Sequence, residues 1–559
     1  MESVSSDNDD QSDQINPSVQ TSTTTSSTNS SSYRVPNPPT ETPLAYHAVI
    51  SLFRFVLAIF FSRIVIENID QIPTNGQPTI VLANHSNSLT DALIIMSSIP
   101  RHARRMLRMT AKATHFRRGT FSSWLIEKAG SVPLQRSKDY TNHQTIDNSL
   151  ARKMLIDALC ENGDAICLFP EGISRYHPSI APLKTGTARI ASDVLYKEKE
   201  NDQFELNLLT CSITYLHRQN FRSDVLVSFH SPIKLKPKEN LDLISEDLEI
   251  RKIAINELTE KLSERIRSGT LDSPSWDLIK AANLARTIYA PFGTKIGLGS
   301  HVRLTQKFID AFAGRDGSDS TTSSTDSLVK SLLDYQNKLI QLGIKDERVA
   351  NNRLIKTRVI FKRLLVRLVG AGFLTSICFP GMLLWFPAFF TAWFFAERQK
   401  RTGPAWDTYD EVTQTKLLYG LASGLITYFT VVLFTFPIFP ITAVGVPLLM
   451  WFTLRWLEDL VATLRAARSL SKMLMLGQKE LNSLRNQRIN LIEPVKKIAI
   501  EKCKLPIESE KVLLDEKNLL KKELIIKNGK VSRLGYFSIR RRRKKDYNEV
   551  LRLWDVVDM

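Results

Sequence analysis

Two stretches of this 559-residue chain carry no charged side chain: Leu368–Ala396, 29 residues, and Leu417–Leu454, 38 residues. A helix packed in a soluble core rarely stays apolar on every side for so long, so both stretches are expected in a membrane. At ~1.5 Å per residue the first can cross a ~30 Å hydrocarbon core once. The second is too long for one crossing and short for two straight ones. Their outer flanks are basic (Arg363 and Arg367 before, Arg455, Arg465 and Arg468 after), while 397–416 holds four acids and four bases. The positive-inside rule then puts both flanks in the cytosol, which requires an even number of crossings.

The formal net charge is +18, although residues 1–42 hold six acids against Arg34 alone. Such a surplus favours negative partners: nucleic acid, anionic headgroups or phosphorylated substrates. Nucleic acid is disfavoured, because no zinc-type Cys/His spacing and no basic helix interleaved with aromatics is present. The five cysteines are scattered, as expected of reduced core thiols in a reducing compartment. The Ser/Thr/Asn-rich start lacks the basic-then-apolar layout of a signal peptide.

Six regions follow. Residues 1–42 are too polar to order themselves. Residues 43–67 contain the apolar run Tyr46–Ile66, interrupted by Arg54 and Arg63. It reads either as an interfacial or re-entrant helix with both arginines snorkelling to headgroups, or as a buried amphipathic helix. Between 68 and 240, short apolar runs (TIVLA 79–83, SVPL 131–134, DAICLF 164–169, LNLLTCSITYL 206–216, VLVSFH 225–230) alternate with helical patterns. That alternation predicts an α/β domain with a largely parallel central sheet flanked by helices. Residues 241–365 read as a helical extension broken by a flexible loop at 314–327, 366–456 as the membrane region, and 457–559 as a basic helical cytosolic tail ending near RRRRKK (540–545).

Chemistry gathers in the α/β region. VLANHSNSLTD (81–91) reads as a strand that delivers His85 into a polar loop, with Asp91 at the start of a helix. Such a pair suits a general base and its orienting carboxylate; the plainer alternative is a turn residue and a helix cap. Further along stand Lys112 after a strand, AGSVPLQR (129–136) with Arg136, and LFPEGISRYHPSIAPLKTG (168–186) with Glu171, Gly172 and Lys184. In ITYLHRQNFRSDVLVSFHSPI (213–233), His217, Arg218 and Arg222 interrupt a hairpin-like pattern. Each has an ordinary alternative as a turn or a surface charge.

In this order NHSNSLTD, GSVPLQR and FPEGISR resemble the blocks of the glycerolipid acyltransferase superfamily over roughly residues 75–235. The paired membrane segments and long tail resemble the fungal-type glycerol-3-phosphate/dihydroxyacetone-phosphate acyltransferases. One departure stands out: five residues separate His85 from Asp91, where the family motif has four. Five would not place both side chains on one helical face, so the pair can meet only across a loop.

The resemblance implies an enzyme in which His85 takes a proton from a glycerol hydroxyl as it attacks an acyl-CoA thioester, with Asp91 holding the other ring nitrogen. It implies no cofactor and no metal; acyl-CoA is the donor substrate. For the acceptor phosphate Arg136 is the first choice, with Lys184 and Lys112 behind it, while Glu171 and Gly172 shape the acceptor site. Glycerol 3-phosphate is the implied acceptor, with dihydroxyacetone phosphate a second, and lysophosphatidate the product. The implied setting is the endoplasmic reticulum membrane, with the site facing the cytosol. Two alternatives stay open: a lysophospholipid acyltransferase of the same superfamily, and a non-catalytic lipid-binding scaffold.

Overall fold

The computed structural model describes residues 44–116, 119, 121–128, 130–135, 148–290, 297–315, 322–351, 356–509 and 531–534. The acidic N-terminal stretch and the RRRRKK segment lie outside these residues.

Helix α1 (Leu44–Phe60) leads into strand β1 (Arg63–Glu67). Then follow β2 (Thr79–Ala83), α2 (Leu89–Ser98), β3 (Leu107–Lys112), α3 (Phe121–Lys128), β4 (Val132–Leu134), α4 (Ser149–Asn162), β5 (Ala165–Leu168), α5 (Gly186–Lys197), β6 (Leu206–Tyr215), β7 (Asp224–Phe229) and β8 (Ile233–Leu235). The sheet order is β4-β3-β5-β2-β6-β7-β1, closed by a distant strand β9 (Val531–Leu534), with β8 pairing the start of β6. Strands β4, β3, β5, β2 and β6 are parallel; β7 returns antiparallel to β6, β1 lies parallel to β7, and β9 runs antiparallel to β1. Largely parallel strands flanked by helices match the sequence expectation. The run TIVLA is buried throughout because both sheet faces are covered, as parallel sheets require. Val81 and Ala83 face α1 and α2, whereas Ile80 and Leu82 face α4, α5 and α6 (Leu248–Ser268).

The run Tyr46–Ile66 is not one helix. It breaks after Phe60, and RIVIE, with two Ile and a Val, becomes β1 beside β7. Tyr46, Phe53, Leu57 and Phe61 enter the main core. The arginines do not snorkel. Arg54 donates to the carbonyls of Ser97 (3.2 Å) and Ile99 (3.1 Å), and Arg63 pairs with Asp224.

A second core forms among α7 (Trp276–Tyr289), α8 (Leu298–Phe312), α9 (Thr322–Leu342) and α10 (Asp346–Val349). Of the loop expected over 314–327, the residues from Thr322 on belong instead to α9, and 316–321 lie outside the described residues. Among the described residues, three helices are long and apolar enough to cross a membrane: α11 (Thr357–Lys400), α13 (Val412–Phe434) and the segment Phe436–Glu501 containing α14 (Phe439–Glu501). Helix α14 continues from the apolar run into the expected tail, so the two are not separate regions. It is broken at Gly477 (φ 74°), and beyond the break Leu481, Leu484 and Val495 pack into the second core. Ile360 near the start of α11 joins the same core, while the short α12 (Ala405–Thr408) and the start of α13 reach the sheet domain.

Candidate active site

The carboxyl ends of β2, β5 and β6 meet at one edge of the sheet, where parallel α/β folds collect reactive groups. Residues 84–88 leave β2 as a loop and Asp91 lies in the first turn of α2, so the five-residue spacing is accommodated across a loop. Ser88 takes a left-sided φ of 45° to make the turn, and its N–H donates to Ser174 Oγ at 3.0 Å.

His85 Nδ1 stands 3.0 Å from Asp91 Oδ2. That oxygen also accepts the N–H groups of Ser86 (2.9 Å) and Asn87 (2.7 Å), and the Tyr215 hydroxyl donates to Oδ1. The Asp91 side chain is fully buried, so these donors take the place that water would have around it. With Nδ1–H donating to Asp91, the opposite ring nitrogen Nε2 is the acceptor. The ring stacks on Phe169 at 4.1 Å between centroids and lines a cavity of about 560 Å3. Burial and the neighbouring Asp91 push the Tyr215 hydroxyl well above its ordinary pKa, so it stays a proton donor.

Phe169, Pro170, Glu171 and Gly172 close β5 in a turn, with Gly172 N–H donating to Phe169 O at 3.0 Å. Gly172 has φ 73°, and a Cβ there would meet Lys184 Cδ and Cε at 3.0 Å. Glu171 is a brace: its carboxylate accepts the His85 N–H at 2.6 Å and the Ala181 N–H at 3.1 Å. Burial raises its pKa against the pull of these two donors.

Of the expected phosphate clamp, Arg136 lies outside the described residues. Lys112 closes β3 opposite Leu134 of β4, and its side chain is likewise outside them. Lys184 is exposed, lies along Gly172 and does not line the cavity. His85, Asp91, Glu171 and Gly172 do come together.

Other side chains were not assigned roles from sequence. Arg218 donates to the carbonyls of Ser86 (2.9 Å) and Arg175 (3.2 Å) and lies over the stacked rings of Tyr176 and Trp276. Burial lowers its pKa, opposed by Tyr176 and Asp91. The segment between the apolar helices forms the rim: Trp406 O accepts Tyr176 N–H, Gln414 Oε1 accepts Leu89 N–H, Thr413 donates to Arg218 O, and Lys416 donates to Gln219 O. Asp410 bonds Ser174, and burial raises its pKa. The one available signal was the charge interrupting the 213–233 hairpin; the rim residues carried none.

Residues 63–213 match the Acyltransferase family, and 281–406 match the glycerol-3-phosphate acyltransferase 2 C-terminal domain. Glycerol-3-phosphate O-acyltransferase 2 of Saccharomyces cerevisiae is 24% identical over 272 residues, 48% of this chain and 35% of its own length. Glycerol-3-phosphate O-acyltransferase 1 of the same yeast is 25% identical over 293 residues, covering 51% and 37%. An uncharacterized acyltransferase of Schizosaccharomyces pombe is 21% identical over 424 residues, covering 62% and 61%. The chain therefore spans about a third to three-fifths of the length of these relatives. Among solved structures, the 1-acyl-sn-glycerophosphate acyltransferase PlsC of Thermotoga maritima is 20% identical over 39% of this chain and 79% of its own, at a TM-score of 0.28, too low to carry weight. The chain thus carries a region like the Acyltransferase family at 63–213, followed at 281–406 by one like the glycerol-3-phosphate acyltransferase 2 C-terminal domain.

Proposed function

We propose that the chain transfers a fatty acyl group from acyl-CoA to the sn-1 hydroxyl of glycerol 3-phosphate, giving lysophosphatidate, with dihydroxyacetone phosphate as a second acceptor. The observation that carries this reading is the His85–Asp91 pair opening on a cavity rich in cationic side chains. His85 Nε2 takes the hydroxyl proton as the oxygen attacks the thioester carbon. The C–S bond breaks, and the departing CoA thiolate recovers that proton from the imidazolium. Asp91 keeps the ring in the required tautomer and stabilises its positive charge. No enzyme nucleophile is needed, because the thiolate is already a competent leaving group. The endoplasmic reticulum membrane, with the site on the cytosolic side, suits the basic flanks of the apolar runs and the free, mostly buried cysteines.

The test is acyl transfer from labelled acyl-CoA in membranes expressing the chain or His85→Ala. Glycerol 3-phosphate, dihydroxyacetone phosphate and lysophosphatidate are offered in parallel. Product from the first acceptor, lost in His85→Ala, is the expected result. Near-normal turnover by the variant refutes the base; product from lysophosphatidate alone refutes the acceptor.

A further inference from the structure

Both ends of α11 are tied to one folded unit. At its start Ile360 and Leu364 join the second core. Far along the helix Phe389 meets Phe221 of the β6–β7 loop edge to face at 5.4 Å, and Gln399 donates to Glu411 at 2.8 Å on the chamber rim. Lys400 lies over the ring of Tyr409, which touches Tyr176 beside the site. The second core and the sheet are themselves joined, since Val302 of α8 packs on Val65 of β1 and Leu226 of β7. From Ile360 to Phe389 is about 44 Å of helix, longer than a ~30 Å hydrocarbon core is thick. A crossing along that length would put the second core and the sheet on opposite sides of a bilayer, although they pack on each other.

The later apolar run leaves the same unit and comes back to it. Leu417 and Leu421, near the start of α13, pack into the sheet core. After the turn at Phe436–Ile438, Trp451 of α14 stacks on Phe55 of α1 at 6.0 Å, and Glu458 pairs with Arg222. The two arms are joined near the turn, Tyr428 donating to Ala443 O at 3.2 Å and Thr435 to the Thr442 hydroxyl at 2.9 Å. The outward arm, 421–434, and the returning arm, 439–451, each measure about 18–20 Å, short of a full crossing.

What these helices turn outward is apolar. On α11 Val369, Phe373, Phe379, Leu383, Phe386 and Phe390, with Ser376 among them, recur at three- or four-residue steps on one exposed face. Ala371, Cys378, Gly381 and Ala388 are buried on the other. At the hairpin turn Phe434, Phe436 and Ile441 are 82%, 72% and 71% exposed. An apolar face of this extent marks a contact with lipid or protein. Arg358 and Lys362, exposed at the head of the α11 stripe, suit anionic headgroups and so favour lipid.

We propose that this surface docks the chain on a single leaflet, α11 lying in the membrane plane while the α13–α14 hairpin dips in and returns, so that the described helices nowhere cross the bilayer. The occupant of the apolar face is the acyl-chain layer of that leaflet. A hairpin that turns back partway accounts for an uncharged run too long for one crossing and short for two. The rim residues 406–416 then stand at the surface of the same leaflet, beside the mouth of the site.

The experiment places cysteines one at a time at Val369, Phe379 and Phe390 on the α11 stripe and at Ile438 on the hairpin turn, in the full chain. Cys160→Ser serves as background, because the other four native cysteines are buried. Bimane on each added thiol is quenched in phosphatidylcholine vesicles by lipids brominated near the headgroup or near the chain end. The three α11 positions should give one and the same ratio of shallow to deep quenching, and position 438 a deeper one. Positions 369 and 390 are about 31 Å apart along the axis, so a crossing helix gives deep quenching at 379 and shallow quenching at both ends. That pattern overturns the proposal. So does the absence of quenching at all four positions, which would mean that protein rather than lipid covers the face. Ser376→Cys replaces Phe379→Cys if the latter does not fold. In sealed membrane vesicles from expressing cells, an impermeant maleimide should reach Lys356→Cys and Thr402→Cys from the same side. Labelling of the two from opposite sides overturns the proposal.

Discussion

Replacing Asp91 by Asn exchanges one oxygen for an amide nitrogen and removes one charge, leaving the shape of the site unchanged. The amide oxygen can occupy the Oδ2 position and still accept from His85 Nδ1, Ser86 N and Asn87 N, now 3.0, 2.9 and 2.7 Å away. The amide NH2 then faces Tyr215, whose hydroxyl can turn to accept. Folding should change little, with the unfolding temperature lower by only a few degrees. Catalysis should change greatly, because the imidazolium formed on proton abstraction loses its counter-charge. Opposite unit charges ~4 Å apart interact by ~4 kcal/mol at an effective dielectric of ~20. At ~1.4 kcal/mol per decade that is a ceiling of about 10³-fold, and the amide dipole returns part of it. The expected loss is about 10²- to 10³-fold in kcat with both KM values within about threefold, measured by initial rates of labelled acyl transfer. Asp91→Ala should also lose stability, since buried N–H groups are left without an acceptor at about 1–3 kcal/mol each. A kcat for Asp91→Asn within threefold of wild type refutes the charge-partner role.

Arg222→Met removes the guanidinium that donates to the carbonyls of Ala58, Ile59 and Phe61 at the end of α1 and pairs with Glu458 of α14. Depriving the largely buried Glu458 of this cation should cost about 3–5 kcal/mol, read as faster thermal inactivation, and adding Glu458→Gln should recover part of it. Glu171→Gln leaves one of two N–H donors without an anionic acceptor, at about 1–3 kcal/mol. Because the folded-state pKa of Glu171 is raised, the folded protein holds this proton more tightly than the unfolded chain. Wild type should therefore lose stability relative to Glu171→Gln as pH rises from the unfolded carboxyl pKa of about 4.5 through the raised folded value. Thermal scans at acid and neutral pH check this; a difference independent of pH refutes it.

The sheet centre was legible because β2, β5 and β6 are apolar along their length, which a strand buried on both faces must be. His85, Asp91 and Glu171 could be singled out only because their segments stand together in an order that resembles a known family, since each alone also reads as a turn or a helix cap. Strand β1 was not, because Phe60–Phe61–Ser62 offers no Gly or Pro to mark the break between helix and strand. The edge partner β9 stands more than 450 residues from β1, beyond the reach of any local pattern.

The rim has a practical consequence for any attempt to prepare this protein without lipid. Trp406, Thr413, Gln414 and Lys416 belong to the chain that joins or begins two long apolar helices, yet they bond Tyr176, Leu89, Arg218 and Gln219 around the site. A truncation that discards the apolar helices would take away one side of the reaction chamber along with the anchor. The same contacts form a mechanical linkage. A tilt of α13 would displace Thr413 and with it the carbonyl of Arg218, whose side chain donates to the carbonyl of Ser86, next to His85. Lipid composition would then act on turnover through geometry as well as through the supply of substrate.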